Sequence, residues 1–322
     1  MPTLLSRKDF REGVFRRDGG VCVVCGEKAA DAHHIVERAL WNDEGYYMEN
    51  GASVCTKHHL LAESNHIPPC VVRRYAGIKD TVVPKSFDPT LEYDKWGKPF
   101  VNPTRDDIKY PSTFYLNFSP SQYDEEGKAE NVDNKDFARV PLVATIKMDG
   151  ACCKLTPDYV AARNGSHATK KSFDMLKAMH PSFKYLIPQN VRVFAEWLYK
   201  KHSIHYTDDM ALGSLLQVFG VYYVDKRIWG SWDEVEAMAA TLGFPTVPVI
   251  SKFEVDTEWE FANRVSKMAE DIVAQGHEGL VVRNAFAFHY GQFGRFMGKY
   301  VRANHIQIKD EDERTIIRNE TV

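Results

Sequence analysis

The chain has 322 residues, 44% apolar and 26% charged, with a formal net charge of -3 at pH 7. That is enough for two domains with their own cores, and the composition is that of an ordinary soluble globular protein. No apolar run approaches membrane-span length, and the opening "MPTLLSRKDFREG" has no signal-peptide core, so an intracellular protein without a membrane partner is expected. The charge does not mark a nucleic-acid binder, and it does not exclude one, because a basic groove can be offset by acidic surface elsewhere. Six cysteines in a reducing compartment point to metal binding or free thiols rather than to a disulfide framework.

Along the chain, the first quarter is rich in cysteine and histidine. Cys22 and Cys25 form a C-x2-C pair, and Cys55 and His58 form a C-x2-H pair thirty residues later. Four soft ligands at that spacing suit tetrahedral zinc. The run "DAHHIVER", Asn50 and His59 lie in the same region. Over residues 10–66 this series resembles the HNH (ββα-metal) nucleases. The resemblance implies a strand, loop and helix around one divalent ion. His33 and His59 would be its ligands, His34 the general base and Asn50 the residue that orients water. Two readings stay open: a working nuclease, or a zinc-stabilised domain that binds nucleic acid and keeps the histidines. Basic residues interleaved with aromatics in "SRKDFREGVFRRDGG" and "VVRRYAG" suit a nucleic-acid backbone, and equally a solvated charged face.

The segment 81–109, rich in Pro, Asp, Lys and Gly, reads as a linker or extended arm between domains at 1–80 and 110–322. Beyond it, short β-branched runs ("LVATIKM", "VRVFAEWLY", "LLQVFGVYYV", "GLVVRN", "GKYVRA") alternate with helical patterns. In "SWDEVEAMAATLG", Ser231 is the expected N-cap, Glu234 completes a capping box and Gly243 ends the helix. A second helix is expected in "TEWEFANRVSKMAEDIVAQG". The alternation is not that of a Rossmann domain, and the fold class is α+β with antiparallel sheets.

The apolar run 142–146 stops at Lys147, followed by an acid and a glycine. A lysine attacks only when neutral, so a nucleophilic Lys147 needs surroundings that lower its pKa. The apolar strand supplies desolvation, and Arg163, Arg283 and Lys299 supply cations if the fold gathers them. Such cations suit a phosphate-bearing substrate. Glu196 and Glu278 sit against apolar runs and suit a metal or a ribose hydroxyl. For each residue alone, a snorkelling lysine or an acid at a strand end is the plainer reading.

Taken in order, "IKMDG", "ARNG", "VFAEWLY", "VFGVYY", "EGLVVR" and "GKYVR" resemble the nucleotidyltransferase motifs of covalent polynucleotide ligases and capping enzymes. The closest likeness is to the RNA ligase 2-like family. "YPSTFYLNFSP" and "EWLYKKHSIHY" share it, and it covers the last two-thirds of the chain. The resemblance implies an ATP-grasp-like domain of antiparallel sheets flanked by helices. It also implies chemistry with ATP and Mg2+ or Mn2+: Lys147 attacks the α-phosphorus and holds AMP. Arg163 would contact the nucleotide or a 5′-phosphate, Glu196 the ribose or a metal, and Phe219 the adenine. Glu278 would position the metal or the lysine, and Arg283 and Lys299 the triphosphate. AMP would then pass to a 5′-phosphate end, and a 3′-hydroxyl would displace it and seal the strand.

Three positions depart from that pattern. Cys152 stands where relatives often carry asparagine, Arg283 where they often carry lysine, and "KYVR" offers Lys299 and Arg302 in place of a closely spaced lysine pair. Cys70, Cys152 and Cys153 read as buried thiols, and His202 and His205 as structural histidines. The resemblance implies an oligonucleotide-fold domain after the last motif in DNA ligases and capping enzymes; the stretch after Lys299 is too short for one, so RNA is the expected substrate, with the N-terminal module as the candidate to grip it. The rival readings are a DNA nick ligase, an HNH endonuclease carrying a nucleotide-binding domain, and a binding protein with both sites inactive.

Overall fold

Ser6 caps the first helix, α1 (Arg7–Arg17), by accepting the Asp9 N–H on Oγ at 3.1 Å. The helix buries Phe10 and Val14 in a small core with Ala32 and Tyr46. The computed structural model describes residues 2–103, 108–122, 130–163, 167–207, 212–303 and 317–321. The chain divides into two units, Met1–Asn102 with Ala287–Gln292, and Pro103–Phe286 with Phe293–Val322. The segment 81–109 is thus split between them, its first part belonging to the N-terminal unit.

In the N-terminal unit, β1 (Asp31–His34) pairs antiparallel with β2 (Gly51–Val54), with His34 opposite Gly51. Two helices follow, α2 (Thr56–Glu63) and α3 (Pro69–Tyr75), the latter with proline in its first turn, where no N–H is missed. Much of the basic character read as a contact surface holds this unit together. Arg17 donates to the Met48 and Gly51 carbonyls at 2.7 Å each, and Arg11 pairs with Asp31 at 2.8 Å. Arg73 is buried and pairs with Glu92.

The second unit contains β3 (Phe114–Tyr115), β4 (Leu142–Ile146), β5 (Ala151–Leu155), β6 (Val160–Ala162), α4 (Asp174–Met179), β7 (Val191–Trp197), β8 (Leu216–Tyr223), β9 (Ile228–Trp229), α5 (Trp232–Leu242), β10 (Val249–Phe253), α6 (Glu258–Ala274) and β11 (Gly279–Asn284). After the return segment with β12 (Phe288–His289), it closes with α7 (Phe293–Phe296) and β13 (Met297–Val301). One sheet runs β10-β4-β11-β13-β3, and another runs β9-β8-β7-β5-β6 within this unit. The pairs are antiparallel, as the patterning implies, except that β3 joins β13 in parallel.

Helix α5 starts with the expected box: Glu234 N–H donates to Ser231 Oγ at 3.3 Å, and Ser231 N–H donates to Glu234 Oε2 at 2.8 Å. Gly243 ends it in the left-handed region at φ 76°. Trp197, Trp232, Val193, Val218 and Leu176 are among the side chains of a continuous core, each worth about 1.5–3 kcal/mol of transfer free energy. All six cysteines are free; Cys70 and Cys153 are buried and Cys152 half-buried. Among the described residues, no helix is long and apolar enough to cross a membrane.

Candidate active site and metal centre

Strand register brings the motif residues together. β4 pairs with β11 so that Ile146 lies opposite Leu280, and the next Lys147 N–H donates to the Gly279 carbonyl at 2.9 Å. Lys147 therefore stands beside Glu278, and its Nζ lies 2.7 Å from Glu278 Oε2. Gly279 is required here: its φ is +155° and a Cβ would fall on the Tyr300 carbonyl. Thr145, Val281 and Lys299 form one row across β4, β11 and β13. All three line a cavity of about 320 Å³, together with Lys147, Glu196, Phe219, Arg163 and Arg283.

The turn Met148–Asp149–Gly150 carries the chain from one sheet to the other. Cys152 then pairs with Glu196 across β5 and β7. The Gly150 N–H donates to Glu196 Oε1 at 3.1 Å, and a Cβ on Gly150 would stand 2.8 Å from the Trp197 carbonyl oxygen and 3.1 Å from Glu196 Cγ. Gly150→Ala should therefore push the turn off β7. We expect a loss of about 1–3 kcal/mol, read from the urea midpoint.

Phe219 owes its position to a bulge. Phe194 pairs with Gly220 and Ala195 with Val218, so Phe219 is the extra residue of β8. Its ring meets Tyr110 edge-on, with centroids 4.9 Å apart. Sequence reasoning missed Tyr110, and it gave no role to Asp149. Asp149 Oδ2 accepts Ser203 Oγ–H and Ile204 N–H, both at 2.7 Å, which ties the "HSIHY" segment to the lysine turn. The acid following the lysine in "KMDG" was the available signal. His202 lines the cavity, whereas His205 bonds to the Arg318 carbonyl.

The electrostatics differ from the expectation for Lys147. Burial disfavours its ammonium, but the Glu278 carboxylate, with Glu196 and Asp149 behind it, outweighs burial and holds the pKa above the ordinary lysine value. The cations expected to lower it are engaged elsewhere. Arg163 donates to Ser112 Oγ at 3.0 Å. Arg283 is buried, donates to the Gly230 carbonyl at 2.6 Å and the Asn284 carbonyl at 3.1 Å, and is brought down to about 10 by burial. Lys299 Nζ lies 4.0 Å from the Tyr115 ring centroid. Asn164 and Gly165 of "ARNG", and residues 304–316, lie outside the described residues.

Burial, with the Glu278 and Asp149 carboxylates, pushes Glu196 up to about 8 against the pull of Lys147 and the Gly150 N–H. A carboxyl raised on folding contributes stability that is complete below its unfolded pKa and is lost as pH rises through about 8. Thermal melts from pH 5 to 9 should show wild type losing stability relative to Glu196→Gln across that range. A parallel pair of curves would contradict the burial of this carboxyl.

In the N-terminal unit, the thiols of Cys22, Cys25 and Cys55 and a His58 ring nitrogen lie within 4.8 Å of one another. Cys25 and Cys55 Sγ are 4.0 Å apart, and Cys22 and Cys55 Sγ are 3.5 and 3.1 Å from His58 Nδ1. Those separations fit four ligands about 2.0–2.3 Å from one tetrahedral ion. A second cluster joins His33 and His59 with Glu63, which sequence reasoning missed although it lies one helical turn after His59. The His33 and His59 rings are 5.1 Å apart. His34 instead stacks on Phe10 at 4.7 Å, and burial brings its pKa down to about 4. Asn50 is buried: its Oδ1 accepts Val36 N–H at 2.8 Å, and its amide donates to the Val36 and Gly45 carbonyls at 3.1 Å each.

A family model described as RNA ligase matches residues 140–301. A search of curated proteins finds no match. Among solved structures, an archaeal ATP-dependent RNA ligase is similar at TM-score 0.41 and 14% identity, over 76% of this chain and 64% of that chain. The Naegleria gruberi RNA ligase with PPi is similar at TM-score 0.43 and 15% identity, over 93% of this chain and 81% of that one. A mutant of the same Naegleria gruberi ligase with AMP and Mn gives TM-score 0.38 and 15% identity, over 93% and 82%. The chain thus spans about two-thirds of the archaeal ligase it matches, at 64%.

Proposed function

Because the chain belongs to the RNA ligase family, we propose that it is an ATP-dependent RNA ligase that works through a covalent lysine-AMP on Lys147. The observation that carries this reading is the Lys147–Glu278 pair, 2.7 Å apart, beside the cavity that Glu196, Phe219 and Lys299 also line. Lys147 Nζ forms the bond to the α-phosphorus of ATP as the bond to pyrophosphate breaks. The ammonium loses two protons: the first goes to Glu278 Oε2, the acceptor already in contact, and frees the lone pair for attack, and the second leaves the new P–N nitrogen with the departing pyrophosphate. Lys299, Arg163 and Arg283 supply positive charge toward the phosphates, and Phe219 offers an aromatic edge to the base.

Glu196 and Glu278 are hard oxygen donors, and the Glu278 carboxylate raises the proton affinity of Glu196, a pairing that suits Mg2+ or Mn2+ shared with substrate phosphates. Such an ion, when bound, supplies charge neutralisation, and this also relieves the carboxylate field that keeps Lys147 protonated. AMP then moves to an RNA 5′-phosphate, and a 3′-hydroxyl displaces it. The N-terminal unit is read as a zinc-bound module, through Cys22, Cys25, Cys55 and His58, that binds the nucleic acid.

The test is a sealing assay with 5′-phosphorylated RNA, ATP and Mg2+, run beside matched DNA. Adenylylated RNA followed by sealed RNA is expected. Preferential sealing of nicked DNA would transfer the reading to a DNA ligase. Metal-dependent cutting without sealing would move the HNH-like module to first place.

A further inference from the structure

The His33–His59–Glu63 cluster contains a fourth member from the segment that sequence reasoning assigned to a linker. Lys95 is 1% exposed. Its Nζ donates to the His34 carbonyl at 2.8 Å and stands 3.1 Å from Glu37 Oε2 and 3.2 Å from Glu63 Oε1. Three acceptors match the three N–H bonds of an ammonium. Glu63 Oε1 is also the atom that lies 3.3 Å from His33 Nδ1 and 3.2 Å from His59 Nε2. The oxygen a metal ion would take already serves an internal cation.

Lys95 is held at both ends. Its N–H donates to Asn65 Oδ1 at 2.8 Å, and its carbonyl accepts Glu37 N–H at 3.0 Å. The next residue, Trp96, donates its indole N–H to the Glu63 carbonyl at 3.0 Å. Asp94 Oδ1 accepts the N–H groups of Trp96 and Lys98 at 2.9 and 2.8 Å, which closes the turn around it. These bonds fix the backbone from which the Lys95 side chain reaches the cluster.

An ion bound to Glu63 Oε1 at about 2.1 Å would lie within roughly 5.3 Å of Nζ in any direction, because 3.2 Å separates Nζ from that oxygen. Lys95 and His33 are buried while His59 and Glu63 are partly exposed, so at that distance the repulsion between the ammonium and a dication is screened less than in bulk water. We propose that Lys95 is the resident cation of this centre. The ammonium takes the electrostatic place of a divalent ion, and the cluster acts as a clasp that ties residues 92–98 to β1 and α2. The N-terminal unit then carries the zinc of its Cys3His group and no nuclease ion. This inference stands on the N-terminal unit alone and does not rest on the ligase reading.

The test uses the zinc-loaded full chain with nitrogen-labelled histidine, titrated with Mn2+ and followed by the ring resonances of His33 and His59. His33→Ala gives the assignment. In wild type both rings should stay sharp at Mn2+ levels that broaden them in Lys95→Met, with at least about a tenfold difference in apparent affinity. Lys95→Met leaves two acids facing each other, so Lys95→Met with Glu37→Gln is prepared beside it, and circular dichroism checks both folds. Broadening of both rings in wild type at the same Mn2+ as in the variants would overturn the proposal. Sharp rings in wild type and in the folded variants alike would overturn it too, because Lys95 would then not be what excludes the ion.

Discussion

Lys147→Ala should abolish transfer of label from α-labelled ATP to the protein on a denaturing gel. Removal of a covalent nucleophile elsewhere has cost on the order of a million-fold in kcat, so the band should vanish rather than fade. Alanine also strands the Glu278 carboxylate, which is 1% exposed and loses its partner at 2.7 Å. A destabilised fold could then mimic a chemical loss. Lys147→Arg keeps the charge beside Glu278 and removes the nucleophile, and it should be equally unlabelled while melting near wild type. Glu278→Gln separates the carboxylate's two roles. It removes the main field that holds the Lys147 pKa up, and it also removes the proton acceptor. We expect labelling to fall by roughly 10²–10⁴-fold, with the pH dependence of the residual rate moved toward lower pH. A labelled band that survives in both Lys147 variants would reject the covalent lysine. Such a result is interpretable only with wild type shown by mass spectrometry not to be adenylylated already.

Removing zinc should have the largest effect on stability. Cys22 and Cys25 lie on one loop, and Cys55 and His58 lie at the start of α2, so a shared ion would join segments that few apolar contacts hold. The buried cluster there consists of Cys22, Val54 and Cys55. Structural zinc in small domains contributes roughly 10–16 kcal/mol at neutral pH, comparable to the whole net stability of an ordinary domain, about 5–15 kcal/mol. A strong chelator, or Cys22→Ser with Cys25→Ser, should therefore open residues 1–102 to proteolysis. Metal analysis of protein purified without chelator should find one zinc per chain. Chelated protein that keeps its protease resistance, or metal analysis without zinc, would count against the assignment.

Local features were legible in the sequence because their physics is local. A capping box spans four residues, and the C-x2-C and C-x2-H pairs place ligands within one turn. A strand that stops at Lys-Met-Asp-Gly announces a turn wherever the strand pairs. Those features pointed to Lys147 and to Cys22, Cys25, Cys55 and His58, whose ligand atoms the fold brings within 4.8 Å of one another, and they marked α5 from Ser231 to Gly243. The resemblance of six ordered motifs led to the RNA ligase family, whose model matches residues 140–301.

Tertiary structure decided everything that depends on which strand lies beside which, and on what fills the space between. Lys147 and Glu278 are 131 residues apart and meet only through the β4–β11 register. Periodicity gives the face a residue occupies but not its neighbour on the next strand. The same non-local placement raised the Lys147 pKa where a lowered one was expected, because contact with a carboxylate outweighs burial. It bound Arg283 to the Gly230 carbonyl, and a bulge in β8 set Phe219. It also buried Lys95, from a stretch that reads as an arm, among two acids and a backbone carbonyl. A lone lysine in a Pro- and Gly-rich segment carries no mark of burial, and only the packed fold supplies the partners that make burying its charge tolerable.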